Sequence, residues 1–154
     1  MTEYMCFQEL SFEWADSYDT KDFDRLAAIL APEMNIDYSI VNPELPKDDK
    51  MSAQSFLAFV SSPVFLGNPL IRTQHLLGAS KYVKLGENTA LGRIQIRAAH
   101  QREDSNGKAC HNGHGHALLH HLYQSINGRW LLAGVKPVVY WNEGPFEKIF
   151  QATS

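Results

Sequence analysis

Cysteine is scarce: Cys6 and Cys110 are the two in 154 residues. They form no CxxC pair and no disulfide framework, so the sequence predicts a reducing, cytoplasmic compartment. Basic tracts are missing too, and the net charge is −3. That excludes an electrostatic grip on nucleic acid or on an anionic membrane. No apolar run reaches the roughly 18 residues a membrane span needs. The opening Met1-Thr2-Glu3-Tyr4 lacks the basic-then-apolar pattern of a secretion signal. There is no internal repeat and no low-complexity tract. What remains is a balance of 44% apolar and 20% charged residues, on a length that suits a single domain spanning residues 1–154. The mild excesses are 11% aromatics and seven histidines.

Periodicity divides the chain into helices followed by strands. Met5, Leu10, Trp14 and Tyr18 recur on roughly one face and predict a helix over 4–18. Asp22 caps a second helix running through Leu30, with Phe23, Leu26, Ala27 and Leu30 as its stripe, stopped by Ala31-Pro32. Met34 to Tyr38 alternates as a short strand, and 42–50 is too charged and proline-rich to be anything but loop. Ser52 caps a third helix that carries Phe56, Leu57, Phe59 and Val60; 64–70 is a second loop. From Ile71 the pattern predicts strands over 71–84, 89–103, 109–126 and 129–141. Leu85 to Asn88 forms the first turn, and Asn106-Gly107 and Asn127-Gly128 mark two-residue hairpins. Gly144-Pro145 opens a last helix from Phe146 to Phe150. The order defines an α+β fold, a strongly curved sheet closed by helices around a deep interior.

The strands over 71–84 and 89–103 carry one histidine each: His75 in Ile71-Arg72-Thr73-Gln74-His75, and His100 in Ala99-His100-Gln101-Arg102. Imidazole titrates nearest neutrality, so a facing pair can supply a general acid and a general base. Tyr18, Asp19 and Tyr38 read equally well as packing and turn residues or as site groups. In the second reading the phenols hold a water or a carbonyl oxygen, and the carboxylate orients a histidine. His114 and His116, two apart on one strand, share a face as paired metal ligands do. Further ligands would have to come from elsewhere, and the balance of this reading is no metal.

Taken together, Glu13-Trp14-Ala15-Asp16-Ser17-Tyr18-Asp19, Lys21-Asp22, Ile36-Asp37-Tyr38, Arg72-Thr73-Gln74-His75, His100-Gln101-Arg102, Gly113-His114, Lys136-Pro137 and Ile149-Phe150 resemble the scytalone dehydratase family, fungal enzymes of melanin biosynthesis. The resemblance runs in order over nearly the whole chain. It implies a cone-shaped α+β barrel of the nuclear-transport-factor-2-like type, a homotrimer, and catalysis without metal or organic cofactor. It also implies that Tyr18 and Tyr38 hold a water that polarises the substrate carbonyl. By the same resemblance His75 and His100 handle the protons, and Asp19 partners His100. The pocket it implies is lined by Trp14, Phe59, Phe65, Pro137, Phe146 and Phe150, the last helix acting as a lid.

One departure bears on substrate choice. Where the melanin enzymes carry a serine and an asparagine, this chain has Ala117 and Leu119. The proton-handling set is kept and two polar recognition contacts are lost, which favours a less hydroxylated or differently placed ring. The expectation is a cofactor-free dehydratase acting on a reduced cyclic aromatic polyketide, with His75 removing the α-proton and His100 assisting the leaving hydroxyl. The same pocket would suit an isomerase, cyclase or decarboxylase of a polyketide, or a non-catalytic ligand-binding module.

Overall fold

In a computed structural model of the chain, which describes residues 1–151, three helices and six strands follow one another. They are α1 (Glu3–Thr20), α2 (Phe23–Ile29), β1 (Leu30–Asp37), β2 (Lys47–Ser52), α3 (Ala53–Val60), β3 (Ile71–Lys84), β4 (Thr89–Glu103), β5 (Ala109–Ile126) and β6 (Arg129–Glu143). A short turn of 3-10 helix, Phe146–Lys148, comes last. The final residues of the expected 1–154 domain lie outside the described residues. No helix among the described residues is long and apolar enough to cross a membrane.

The strands form one mixed sheet in the order β2-β1-β6-β5-β4-β3, with β1 parallel to β6 and every other pair antiparallel. Its ends, β2 and β3, do not pair, so the sheet curves without closing. The helices close its concave side instead. Thr2 caps α1 through the Met5 amide, and Phe7, Leu10, Ser11, Trp14, Ala15, Ser17 and Tyr18 form its buried stripe at three- and four-residue steps. Phe7 replaces the expected Met5, which is 48% exposed. Phe7 stacks on Tyr123 at 4.8 Å, and a side chain of that size contributes about 1.5–3 kcal/mol on burial.

Four boundaries differ from the sequence reading, each for a local reason. Helix α1 runs on through Asp19, because the turn that ends it is made by Lys21 in the left-handed region (φ 56°). Strand β1 starts at Leu30 and contains Pro32. The proline is tolerated because it falls where the β1–β6 register is broken, between Leu30 and Asn35. The charged stretch Lys47–Ser52 is an edge strand rather than a loop, and its lysines and aspartates guard an exposed edge against further pairing. Asn127-Gly128 makes the expected two-residue hairpin, with φ of 52° and 79°. The Asn106-Gly107 connection instead spans 104–108, because the Asp104 carboxylate accepts from the Asn106 and Lys108 amides.

Candidate active site

Side chains alternate across the sheet, so His75 and His100, on adjacent strands, face the same concave side. Their ring centroids are 5.8 Å apart. Both line a cavity that holds about 640 Å³ of space between atoms, counting the part that opens to solvent. Trp14, Tyr18, Tyr38, Phe65, Ala117, Leu119, Pro137, Phe146 and Phe150 line it with them. Phe59 does not reach the cavity. It stacks behind Phe65 at 4.8 Å and meets Tyr38 edge-on at 5.5 Å, holding both in place. The terminal segment covers the opening, with Phe146 and Phe150 at 4.9 and 5.6 Å from the His100 ring. It is a single turn, shorter than the expected helix. Its anchor is Arg102, which donates to the Ile149 carbonyl at 3.0 Å.

The carboxylate belongs to His75, not to His100 as the resemblance implied. Asp19 Oδ1 accepts from His75 Nδ1 at 2.6 Å and from the Thr73 hydroxyl at 2.8 Å; Oδ2 accepts from the His75 amide at 2.8 Å. The cause is topological. Strand β3 is a sheet edge, and the end of α1 lies against it, so an edge amide and the ring beside it are both within reach of Asp19. With Nδ1 held, Nε2 is the nitrogen His75 has free.

His100 sits in a different environment. Its Nδ1 is 3.1 Å from the Ala98 carbonyl, which can only accept, so Nδ1 carries the proton and Nε2 a bare lone pair. Burial, reinforced by the His75 ring, pushes His100 down to about 3, and it is neutral near pH 7. Tyr18 and Tyr38 are hydrogen-bonded at 2.9 Å. Burial pushes both phenols up, so neither ionises near neutrality. Two neutral phenols have two protons; one is used between them and the other remains for a ligand.

Four further lining residues follow from the strand pattern: Ile96 and Ala98 share a face with His100, Gly115 with Ala117, and Val139 with Pro137. A fifth, Asn142, depends on a break in that pattern. Val41 and Leu66 lie in loops, where no periodicity marks them. His114 and His116 point to the opposite face from Gly115, away from the cavity. His116 stacks flat on Trp141 at 4.5 Å. Among the described residues no three histidine, cysteine, aspartate or glutamate side chains gather as a metal site.

A helix-backed, unclosed curved sheet around an apolar cavity, with imidazoles, a carboxylate and phenols converging in it, defines a nuclear-transport-factor-2-like pocket protein equipped for proton transfer. The chain belongs to the scytalone dehydratase family, whose family model matches residues 1–154. It is 44% identical over 152 residues to scytalone dehydratase arp1 of Aspergillus fumigatus, covering 97% of this chain and 89% of that one. It is 45% identical over 145 residues to the scytalone dehydratase-like protein mdpB of Emericella nidulans, covering 93% and 67%. Among solved structures, hexachlorocyclohexane dehydrochlorinase LinA-type3 of Novosphingobium barchaimii shares the fold, with a TM-score of 0.74 at 11% identity over 92% of this chain and 88% of that one.

Proposed function

We propose that this protein eliminates water from a reduced cyclic aromatic polyketide, a ring ketone with a β-hydroxyl, using proton transfers alone. The observation that carries this reading is the unequal environment of the two histidines. Rings 5.8 Å apart do not both hold a positive charge, and the carboxylate is on His75. His75 Nε2 takes the α-proton, and the C–H electron pair passes into an enolate whose oxygen is held by the free phenol proton, directly or through a water. The enolate expels the β-hydroxyl, which collects the proton back from His75 and leaves as water. His100, neutral and presenting a lone pair, accepts a hydrogen bond from the departing hydroxyl and orients it. This changes the role expected for His100: a ring that resists protonation is a poor donor. The apolar lid excludes bulk water from the enolate.

The chain works as one domain in a reducing cytoplasm, as a homotrimer. Support for self-association is the outer sheet face, where Leu76, Tyr140 and Trp141 are each more than half exposed. The test is product mass. Incubation of the purified protein with a β-hydroxytetralone should give a product lighter by one water. An unchanged mass would favour an isomerase or cyclase, loss of carbon dioxide a decarboxylase, and binding without turnover a ligand-binding module.

A further inference from the structure

Pro137 and Val139 on β6 point into the cavity, and strict alternation would bring Trp141 in next. It does not. Ala117 pairs with Val139 while His116 pairs with Trp141 and Gly115 with Asn142, so β6 has one residue more than β5 at this step. The extra residue is a β-bulge, a device that re-aims side chains beside a site. Here it turns Tyr140 and Trp141 outward, 62% and 56% exposed, and brings Asn142 round to line the cavity.

The facing residue makes room for it. Asn142 Oδ1 lies 3.4 Å from where a Cβ on Gly115 would be, and the Phe146 ring 3.9 Å away. A methyl at 115 would already be in van der Waals contact with the amide and the lid, and a longer side chain would compete with them for the space. The Asn142 amide makes no hydrogen bond to protein among the described residues, although neighbouring Glu143 pairs with Arg97 on the outside. Asn142 is itself exposed, so the cavity has an uncommitted amide at its rim beside the lid and an unbroken apolar wall at Ala117 and Leu119.

We infer that Asn142 is a specificity-determining residue: it binds a phenolic hydroxyl on the substrate's aromatic ring at the lid end, while the unsubstituted ring edge lies against Ala117 and Leu119. An amide both donates and accepts, which matches a hydroxyl. This orientation rests on the dehydratase reading. The experiment compares two β-hydroxytetralones, one with a phenolic hydroxyl on its aromatic ring and one without. Asn142→Ala should lower kcat/KM for the phenolic substrate about 3- to 10-fold, mostly through KM, and leave the other within about twofold. Equal losses on both substrates, or none on either, would overturn the inference. If wild type turns over neither, the dehydratase reading fails separately. Calorimetric binding of a naphthalenediol against a naphthol then reads the amide directly: preference for the diol, lost in Asn142→Ala, supports it, and no preference in wild type overturns it.

Discussion

Asp19→Asn isolates the charge beside His75 with almost no change of shape. The carboxylate accepts three hydrogen bonds, from the Thr73 hydroxyl, the His75 amide and the His75 ring. An asparagine must turn one oxygen into an NH2 group. Placed at Oδ2, that group meets the His75 amide, donor against donor. Placed at Oδ1, it forces the His75 ring to accept at Nδ1, so that the proton sits on Nε2 and the base is lost. A hydrogen bond to a charged group contributes about 1.5–3 kcal/mol, and 1.36 kcal/mol is a factor of ten in rate. Loss of the charge alone therefore predicts a fall in kcat of about 10- to 150-fold, with the wrong tautomer adding to it. The assay is initial rate on a β-hydroxytetralone, well below the melting temperature of both proteins, with melting curves recorded in parallel. A folded Asp19→Asn protein with kcat within about threefold of wild type would refute the claim that Asp19 sustains the charge on His75.

Two other expectations follow from buried groups. His100 and His121 are both pushed down to about 3 by burial, against an ordinary value of 6.5. The unfolded chain binds protons that the folded chain refuses, so stability is complete above about pH 6.5 and falls as the pH drops toward 3. For two such groups the loss is about 4 kcal/mol between pH 7 and pH 5. Urea midpoints at the two values measure it, and a flat response would contradict the burial argument; His121→Gln should roughly halve the loss. Arg102, 4% exposed, holds the lid through the Ile149 carbonyl and leaves its Nε without a partner. Arg102→Met should raise KM several-fold while leaving the melting temperature unchanged or higher, because a buried charge is replaced by an apolar chain of similar length. An unchanged KM would mean that the lid is held by its phenylalanines alone.

Much of the fold is visible in the chain before any coordinates. The stripe of α1, the left-handed Asn127-Gly128 pair and the long alternating strands each state a local preference that the tertiary structure keeps. Alternation also foretells that His75 and His100 share a face once their strands pair. What alternation cannot show is which strand is an edge. Asp19 chose His75 because β3 has a free side for α1 to cover, a property of sheet order. Nor does it show a bulge: counting by twos along β6 puts Trp141 inside and Asn142 outside, the reverse of the structure. Lys47–Ser52 is hidden for the opposite reason, since the charges that suit an exposed edge also look like those of a loop.

The most direct test of the account is the comparison of His75→Asn with His100→Asn as folded, purified proteins. If His75 carries the proton and His100 stays neutral and orients the leaving hydroxyl, His75→Asn should lose about 10²–10⁴-fold in kcat, and His100→Asn distinctly less. Near-normal turnover by His75→Asn, or a greater loss in His100→Asn, would contradict it.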